Sequence, residues 1–306
     1  MTEKESALSV LSNDIADLVE RISPHVVAVQ ARRSFYSSGV VWREGIIVSA
    51  AHTIRREEDI SITFGAAEQA KAKLVGKDAG TDLAVLAVDR SDIRPVTSAG
   101  SENPRLGDIA LIVGRSPNSG PNASFGIVSA VSGPWRTWRG GQMDQYIRLD
   151  AALFAGSSGG AVVDQTGRVL GIATNVLSRV AGLAVPAATI DRVVALLLKK
   201  GGVPTAYLGV GLHPVPIPES MQQKLSVKEP RGLMILAVES GSPAEHAAML
   251  IGDIILALDG VGIGDLENVQ SLLGPDRIGS PVHLKIVRGG ELKEITIVPA
   301  ERRSVQ

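Results

Sequence analysis

Between Val26 and Pro186 the chain is a succession of short runs rich in valine and isoleucine, each closed by a glycine, asparagine or polar turn. VVAV (26–29), GVVW (39–42), GIIVSA (45–50), ISITF (60–64), DLAVLAV (82–88) and DIALIVG (108–114) form the first half. GIVSAVSG (126–133), QYIRL (145–149), GAVVD (160–164), RVLGIAT (168–174) and GLAVP (182–186) form the second. Branched side chains in runs this short, with no 3.6-residue periodicity between them, dictate antiparallel strands joined by tight turns, in a barrel pair or a sandwich. Parallel βαβ alternation is absent. A helix bundle is excluded by 33 glycines, 16 prolines and only 3% aromatic residues, a composition suited to many short strands.

The flanks read differently. Leu8, Leu11, Ile15, Leu18, Val19 and Ile22 recur at three and four residues, an amphipathic helix that Pro24 stops. It is expected to lie on its own domain or to meet another subunit. After Pro186 the helical period returns at Ile190, Val193, Val194, Leu197 and Leu198, with Lys199 and Lys200 at the negative end and Gly201 as C-cap. GGVPTA (201–206) reads as a linker. A second αβ pattern follows, with strands expected at 207–212, 232–239, 253–260, 282–289 and 292–299. One short helix starts at the capping box Ser242-Pro243-Ala244-Glu245, and another runs from near Asp265 to before Gly274. The organisation is thus a helix over 1–24, a β domain over 25–200, a linker over 201–206, a small α+β domain over 207–300 and a tail over 301–306.

Charge and composition exclude several functions. Lys and Arg number 31 against 32 for Asp and Glu, a net charge of −1, so no global basic field draws nucleic acid or anionic lipid. Arg32-Arg33 is at most a local basic spot. Trp135 and Trp138 beside Arg136 and Arg139 have the makings of a base-stacking surface, but a surface loop accounts for them more simply. No apolar run reaches the roughly 18 to 20 uncharged residues of a membrane span. Charges scattered through Met1 to Ser23 do not make a signal peptide, so a cytoplasmic location is expected, or an extracytoplasmic one if an export segment precedes this sequence. Without cysteine there is no disulfide, thiol nucleophile or thiolate metal site. No metal or cofactor is expected.

Gly156-Ser157-Ser158-Gly159-Gly160 lies between two strands. It is either a flexible turn or the setting a serine nucleophile needs, since glycines let successive N–H groups converge beside the hydroxyl. Ser158 is the candidate nucleophile. His52 ends the run GIIVSAA and Asp82 opens the run DLAVLAV; each alone reads equally as a structural residue. Together they supply what a serine requires, an imidazole base and a carboxylate that holds its tautomer, in the order His, Asp, Ser. The glycine-serine segment also fits the G-x-S-x-G elbow of α/β-hydrolases. That elbow needs a helix after the serine and a histidine later in its domain, whereas a strand follows Ser158 and the well-placed histidine precedes it.

At these positions the chain resembles a known family. Ser49-Ala50-Ala51-His52 resembles the histidine motif of trypsin-like proteases, and the three residues follow the chymotrypsin order. Thr81-Asp82-Leu83-Ala84-Val85-Leu86, Asp150-Ala151-Ala152 running into Gly156–Gly160, and Gly182-Leu183-Ala184-Val185-Pro186 resemble the HtrA (Deg) proteases. Tyr207-Leu208-Gly209-Val210, Gly241-Ser242-Pro243-Ala244, Gly252-Asp253-Ile254-Ile255 and Leu258-Asp259-Gly260 resemble the PDZ domain that follows the protease in that family. The likeness spans residues 14 to 300. It implies a mainly β fold, a chymotrypsin-like double β-barrel protease domain followed by a small α+β PDZ domain.

It further implies a serine endopeptidase of unfolded or tagged proteins. His52 would be the base, Asp82 the orienting acid, Ser158 the nucleophile, and the N–H groups of Gly156, Ser157 and Ser158 the oxyanion hole. His25 and Asp78 are the nearest rivals for base and acid, but lack the family motif. Ser157 stands where the family usually has asparagine, so basal activity is expected to depend more on ordering by ligand or neighbouring subunits. Ala152 replaces trypsin's specificity carboxylate, which points to small aliphatic residues rather than Arg or Lys before the cut. The segment from Val29 to Gly39 is too short for the long regulatory loop of some relatives. In the PDZ domain, Tyr207, Leu208, Gly209 and Val210 would receive a peptide's terminal carboxylate. The peptide would add as a strand beside residues 209 to 213, its last side chain near Val269, Leu272 and Leu273. Trimers built through the protease domain are implied too, with Phe35 and Tyr36 the aromatics at hand. A binding or scaffold protein that has lost turnover is the alternative.

Overall fold

The computed structural model describes residues 6–32, 35–65, 68–90, 92–100, 103–178, 180–200 and 206–301. Arg33, Gly201, the expected linker up to Thr205 and the tail beyond Glu301 lie outside them. The chain divides into two compact units, residues 1–135 with 142–203, and residues 204–306 with the short segment 136–141.

Helix α1 (Ala7–Ile22) opens the first unit, capped by Ser6, whose Oγ accepts the Leu8 N–H. Of the expected stripe, Leu18 and Ile22 are buried and Ile15 and Val19 pack beside them, while Leu8 and Leu11 are exposed. Six strands follow: β1 (Val26–Gln30), β2 (Ser37–Arg43), β3 (Ile46–Ala50), β4 (Ile60–Phe64), β5 (Glu68–Asp78) and β6 (Leu83–Val88). They close into a barrel in the order β1-β2-β3-β6-β5-β4. Strand β5 has no counterpart among the valine-rich runs, because its residues alternate or face solvent over most of its length and Glu68, Gln69, Lys71 and Lys73 carry no hydrophobic signal.

The next strands are β7 (Ile109–Ser116), β8 (Gly120–Ser132), the short pair β9 (Trp135–Arg136) and β10 (Gln142–Met143), then β11 (Tyr146–Asp150), β12 (Ala161–Val163), β13 (Val169–Thr174) and β14 (Gly182–Pro186). A second closed barrel runs β11-β14-β13-β12-β7-β8, and helix α2 (Ala187–Lys200) ends the unit. Ile47, Ile60, Ile62 and Leu86 fill the first barrel. Ile112, Ile147, Val162 and Ala173 fill the second. A third cluster joins them, with Val48 and Leu83 against Leu111, Val113 and Ile172, sealed by Ile190, Val193 and Leu197 of α2. The barrel pair, not the sandwich, is the outcome.

The second unit contains β15 (Ala206–Tyr207), β16 (Val210–Pro216), α3 (Glu219–Leu225), β17 (Arg231–Val238), α4 (Pro243–His246), β18 (Ile254–Leu258), β19 (Val261–Gly262), α5 (Leu266–Leu272), β20 (Val282–Arg288), β21 (Glu291–Ile297) and β22 (Ala300–Glu301). Its sheet runs β16-β17-β18-β20-β21, with β19 on β18 and a separate β15–β22 pair. Both expected helices form, Ser242 and Asp265 accepting N–H groups from Glu245 and Asn268. Helix α3 was not expected, because its seven mostly polar residues bury nothing fully.

Arg115 on β7 is the most heavily bonded buried cation of the first unit, only 4% exposed. Its Nε donates to the Val26 carbonyl at 2.6 Å, Nη1 to Gly65 at 2.8 Å and Nη2 to Ser23 at 2.7 Å. Burial pushes its pKa down from the usual arginine range, but the guanidinium stays charged. Among the described residues no carboxylate pairs with it, so the three carbonyls carry the whole compensation. Arg115→Met keeps the bulk and orphans them. The expected loss is about 3 kcal/mol in the unfolding of the first unit, measured by urea titration on Trp42 fluorescence; a change below about 0.5 kcal/mol, typical of surface sites, would refute it.

Candidate active site and peptide groove

Asp82 sits between β5 and β6 with φ +59, in the left-handed region that few residues other than glycine occupy. It is 1% exposed. One carboxylate oxygen accepts the His52 backbone N–H at 2.8 Å, and His52 Nδ1 lies 2.8 Å from Oδ2 and 3.1 Å from Oδ1. Since an ionised carboxylate only accepts, the ring proton is on Nδ1 and Nε2 is left as the basic nitrogen. Among the described residues Nε2 has no hydrogen-bond partner. Thr174, the last residue of β13, donates Oγ1 to Asp82 Oδ2 at 2.6 Å. The acid is thereby satisfied from both barrels and is no solvated turn residue.

The rivals are occupied elsewhere. Asp78 caps its own turn, accepting from the Gly80 N–H at 3.0 Å and Thr81 Oγ1 at 2.6 Å. His25 Nδ1 donates to the Arg94 carbonyl at 2.7 Å.

The loop from Ala151 to Gly160 belongs to the second barrel but is held by the first. The Ser38 N–H of β2 donates to the Ser158 carbonyl at 3.0 Å. Ser38 Oγ donates to the Gly156 carbonyl at 2.7 Å while accepting the Arg115 N–H at 2.9 Å. Ser49 Oγ locks the Ser38 carbonyl at 2.6 Å. Gly159 sits hard against this frame: a Cβ there would lie 2.1 Å from the Ser38 carbonyl and 3.0 Å from the Ala50 nitrogen, two residues before His52. Ser158, beside it, is 9% exposed. Its hydroxyl makes no hydrogen bond among the described residues, to His52 or to any other group. Catalytic contacts in a substrate-free enzyme are often long and tighten on binding.

Of the three amides expected to form an oxyanion hole, one is bonded within its own loop. Ser157 N–H donates to the Phe154 carbonyl at 3.0 Å, closing a reverse turn, so it is committed. Gly156 takes φ +89 in that turn, and a Cβ there would lie 2.3 Å from the Tyr36 ring, so only glycine fits. The Gly156 and Ser158 N–H groups have no acceptor among the described residues. Ser157 Oγ sits 3.5 Å from Asn122 Oδ1.

Thr174 and Ser38 were missed from sequence. Nothing local marks them: one is the polar end of an apolar run, the other a serine in a row of small residues. Ala152, whose carbonyl accepts Ser124 Oγ at 2.6 Å, is exposed. Trp138 stacks under its own neighbour Arg139, 4.3 Å from ring centroid to guanidinium.

In the second unit Leu208 is buried, and its carbonyl and that of Gly209 accept from Ala244 and Glu239, each at 2.9 Å. The Leu208 and Gly209 N–H groups find no acceptor among the described residues. Tyr207 is in β15 and its hydroxyl bonds the Glu239 carboxylate. Val210 opens the edge strand β16. Val269 and Leu273 are core residues, leaving Leu272 as the partly exposed one of the three.

Residues 37–172 match the trypsin-like peptidase domain, and residues 206–298 match the PDZ domain. A probable periplasmic serine endoprotease, DegP-like, from Rhizobium meliloti is 31% identical over 263 residues, 84% of this chain and 51% of the relative. The chain belongs to the HtrA family. Another HtrA relative, the serine protease Do-like HtrA of Lactobacillus helveticus, is 31% identical and covers 83% of this chain and 66% of its own. The chain spans about half the length of the curated relatives it matches. Among solved structures, the serine endoprotease from Yersinia pestis aligns with a TM-score of 0.66 at 26% identity, covering 98% of this chain and 100% of that one. The HtrA-type protease AlgW with decapeptide shares the fold, with a TM-score of 0.66 at 24% identity, 95% of this chain and 99% of the other.

Removing the Thr174 hydroxyl by Thr174→Val should slow phosphonylation of Ser158 by a fluorophosphonate about tenfold, the kinetic equivalent of one hydrogen bond to a charged group. Thr174→Ser should restore it. Equal rates for the valine and serine variants would show that the hydroxyl does not orient the acid.

Proposed function

We propose that this HtrA protein is a serine endopeptidase using His52, Asp82 and Ser158. What carries the reading is the buried Asp82 carboxylate gripping His52 Nδ1, with Nε2 left basic, in the same unit as a serine loop whose Gly156 and Ser158 amides await an acceptor. Ser158 Oγ attacks a peptide carbonyl as His52 Nε2 takes its proton. The Gly156 and Ser158 N–H groups hold the oxyanion, and His52 returns the proton to the leaving amine. Water, activated by the same imidazole, releases the acyl group and restores the serine. Asp82 stays ionised and stabilises the imidazolium throughout.

The substrates are unfolded or tagged proteins. With Ala152 in place of a carboxylate, small aliphatic side chains are preferred before the scissile bond. Leu208, Gly209 and Val210 receive a peptide carboxylate, and β16 takes the peptide as an added strand. Tyr207 supports that loop through Glu239 rather than lying in it. Residues 25–200 form the protease domain and 207–300 the PDZ domain, joined across 201–206.

Self-association as a trimer follows the family, with Leu8, Val10 and Leu11 of α1 and Phe35 as exposed apolar surface. The relatives named periplasmic favour an extracytoplasmic location over the cytoplasmic one, and no helix among the described residues is long and apolar enough to cross a membrane.

Ser158→Ala should lower kcat by about a millionfold on an unfolded casein substrate. A fluorophosphonate should label Ser158 in the wild type but not in His52→Ala. If the serine stays inert at saturating probe, with and without a PDZ peptide, the binding-protein alternative replaces the enzyme.

A further inference from the structure

Strand β16 is the free edge of its sheet, and the side of it that faces away from β17 follows from its partner. Ile235 of β17 turns both backbone groups toward β18: its N–H donates to the Asp253 carbonyl at 2.8 Å and its carbonyl accepts the Gly252 N–H at 2.9 Å. Across the β16–β17 ladder Ile235 is opposite Leu212. In an antiparallel pair such residues do not bond each other, so the Leu212 N–H and carbonyl face outward. Alternation then turns His213 and Val215 toward β17, a parity that the Ile217 N–H continues by donating to Pro230 at 2.9 Å. The outward positions after Leu212 are Pro214 and Pro216. A proline nitrogen has no hydrogen to give.

From this register we infer that the PDZ groove is truncated, reading no more than the last four or so residues of a peptide; the inference rests on the peptide-binding reading above. Upstream of the bulge between Gly211 and Leu212 lie the Leu208 and Gly209 amides, placed for the terminal carboxylate. Leu212 supplies one donor and one acceptor, enough for the residue two before the end. The next outward residue, Pro214, offers a carbonyl but no N–H, so the facing peptide carbonyl loses its partner, and Pro216 repeats the loss. Prolines on a sheet edge also keep foreign strands from adding at length. Here they leave the first rung of β16 usable and close the rest. The partner this fits is a free C-terminus whose recognition residues are its last three, not an extended internal strand.

The test is a length series on the full chain carrying Ser158→Ala, which stops turnover. The tightest binder from a set of apolar tripeptides is carried on alanine leaders of zero, two, four and six residues, so that each extension adds backbone bonds alone. In the wild-type groove Kd should hold within about twofold from five to nine residues, whereas Pro214→Val should leave the tripeptide unchanged and tighten every peptide of five or more residues by about fivefold, one restored hydrogen bond to the carbonyl of the fifth residue from the end. A wild-type series that tightens by about fivefold or more between five and nine residues overturns the inference. So does a folded Pro214→Val chain that binds the five-residue peptide no more tightly than the wild type does. The peptide-binding reading itself fails separately, if no tripeptide binds or if amidating the carboxylate leaves Kd unchanged.

Discussion

A buried carboxylate shared by two barrels is the constraint on which the first unit's chemistry depends. Asp82 belongs to the first barrel, and Thr174 of the second barrel donates to it at 2.6 Å. Burying that charge is unfavourable by several kcal/mol unless it is hydrogen-bonded, and the left-handed backbone at φ +59 adds about 1 to 3 kcal/mol of strain. Two contacts to His52 and one to Thr174 offset the cost. They also set the imidazole tautomer. Orientation of the His52 ring and docking of the two barrels are therefore one requirement, met at one side chain.

The same logic operates across the groove in the opposite direction. The serine loop is chemically part of the second barrel, but its carbonyls at Gly156 and Ser158 are held by Ser38 of the first. Ser38 is itself held by Arg115, whose guanidinium bonds the carbonyls of Ser23, Val26 and Gly65. With those carbonyls fixed and Ser157 turned onto Phe154, the two amides left over are those of Gly156 and Ser158.

Much of this was legible in the sequence, for physical reasons that also set its limits. Valine-rich runs announced strands that are buried on both faces, which is why β3, β6 and β13 were visible and the solvent-facing β5 was not. Helix caps at Ser242 and Asp265 are local chemistry and were readable. His52, Asp82 and Ser158 could be nominated because a nucleophile, base and acid have known residue types. Thr174 and Ser38 act only through the fold, by meeting Asp82 across 92 positions and Gly156 across 118, and no neighbouring residue betrays them. The Ser157 amide likewise depends on one turn, whose direction a string of glycines and serines leaves open. Pro214 and Pro216 were in plain view, but their meaning required the register against β17.

The central claim, that Ser158 is the nucleophile and that the Gly156 and Ser158 amides receive the oxyanion, is tested most directly by the crystal structure of the chain with a small aliphatic peptide boronic acid. The account predicts a tetrahedral boron bonded to Ser158 Oγ, one boronate oxygen about 2.7 to 3.1 Å from both amide nitrogens, and the other facing His52 Nε2. A boronate bound elsewhere, or bonded to Ser158 with its oxygen held by other groups and the two amides unused, would contradict it.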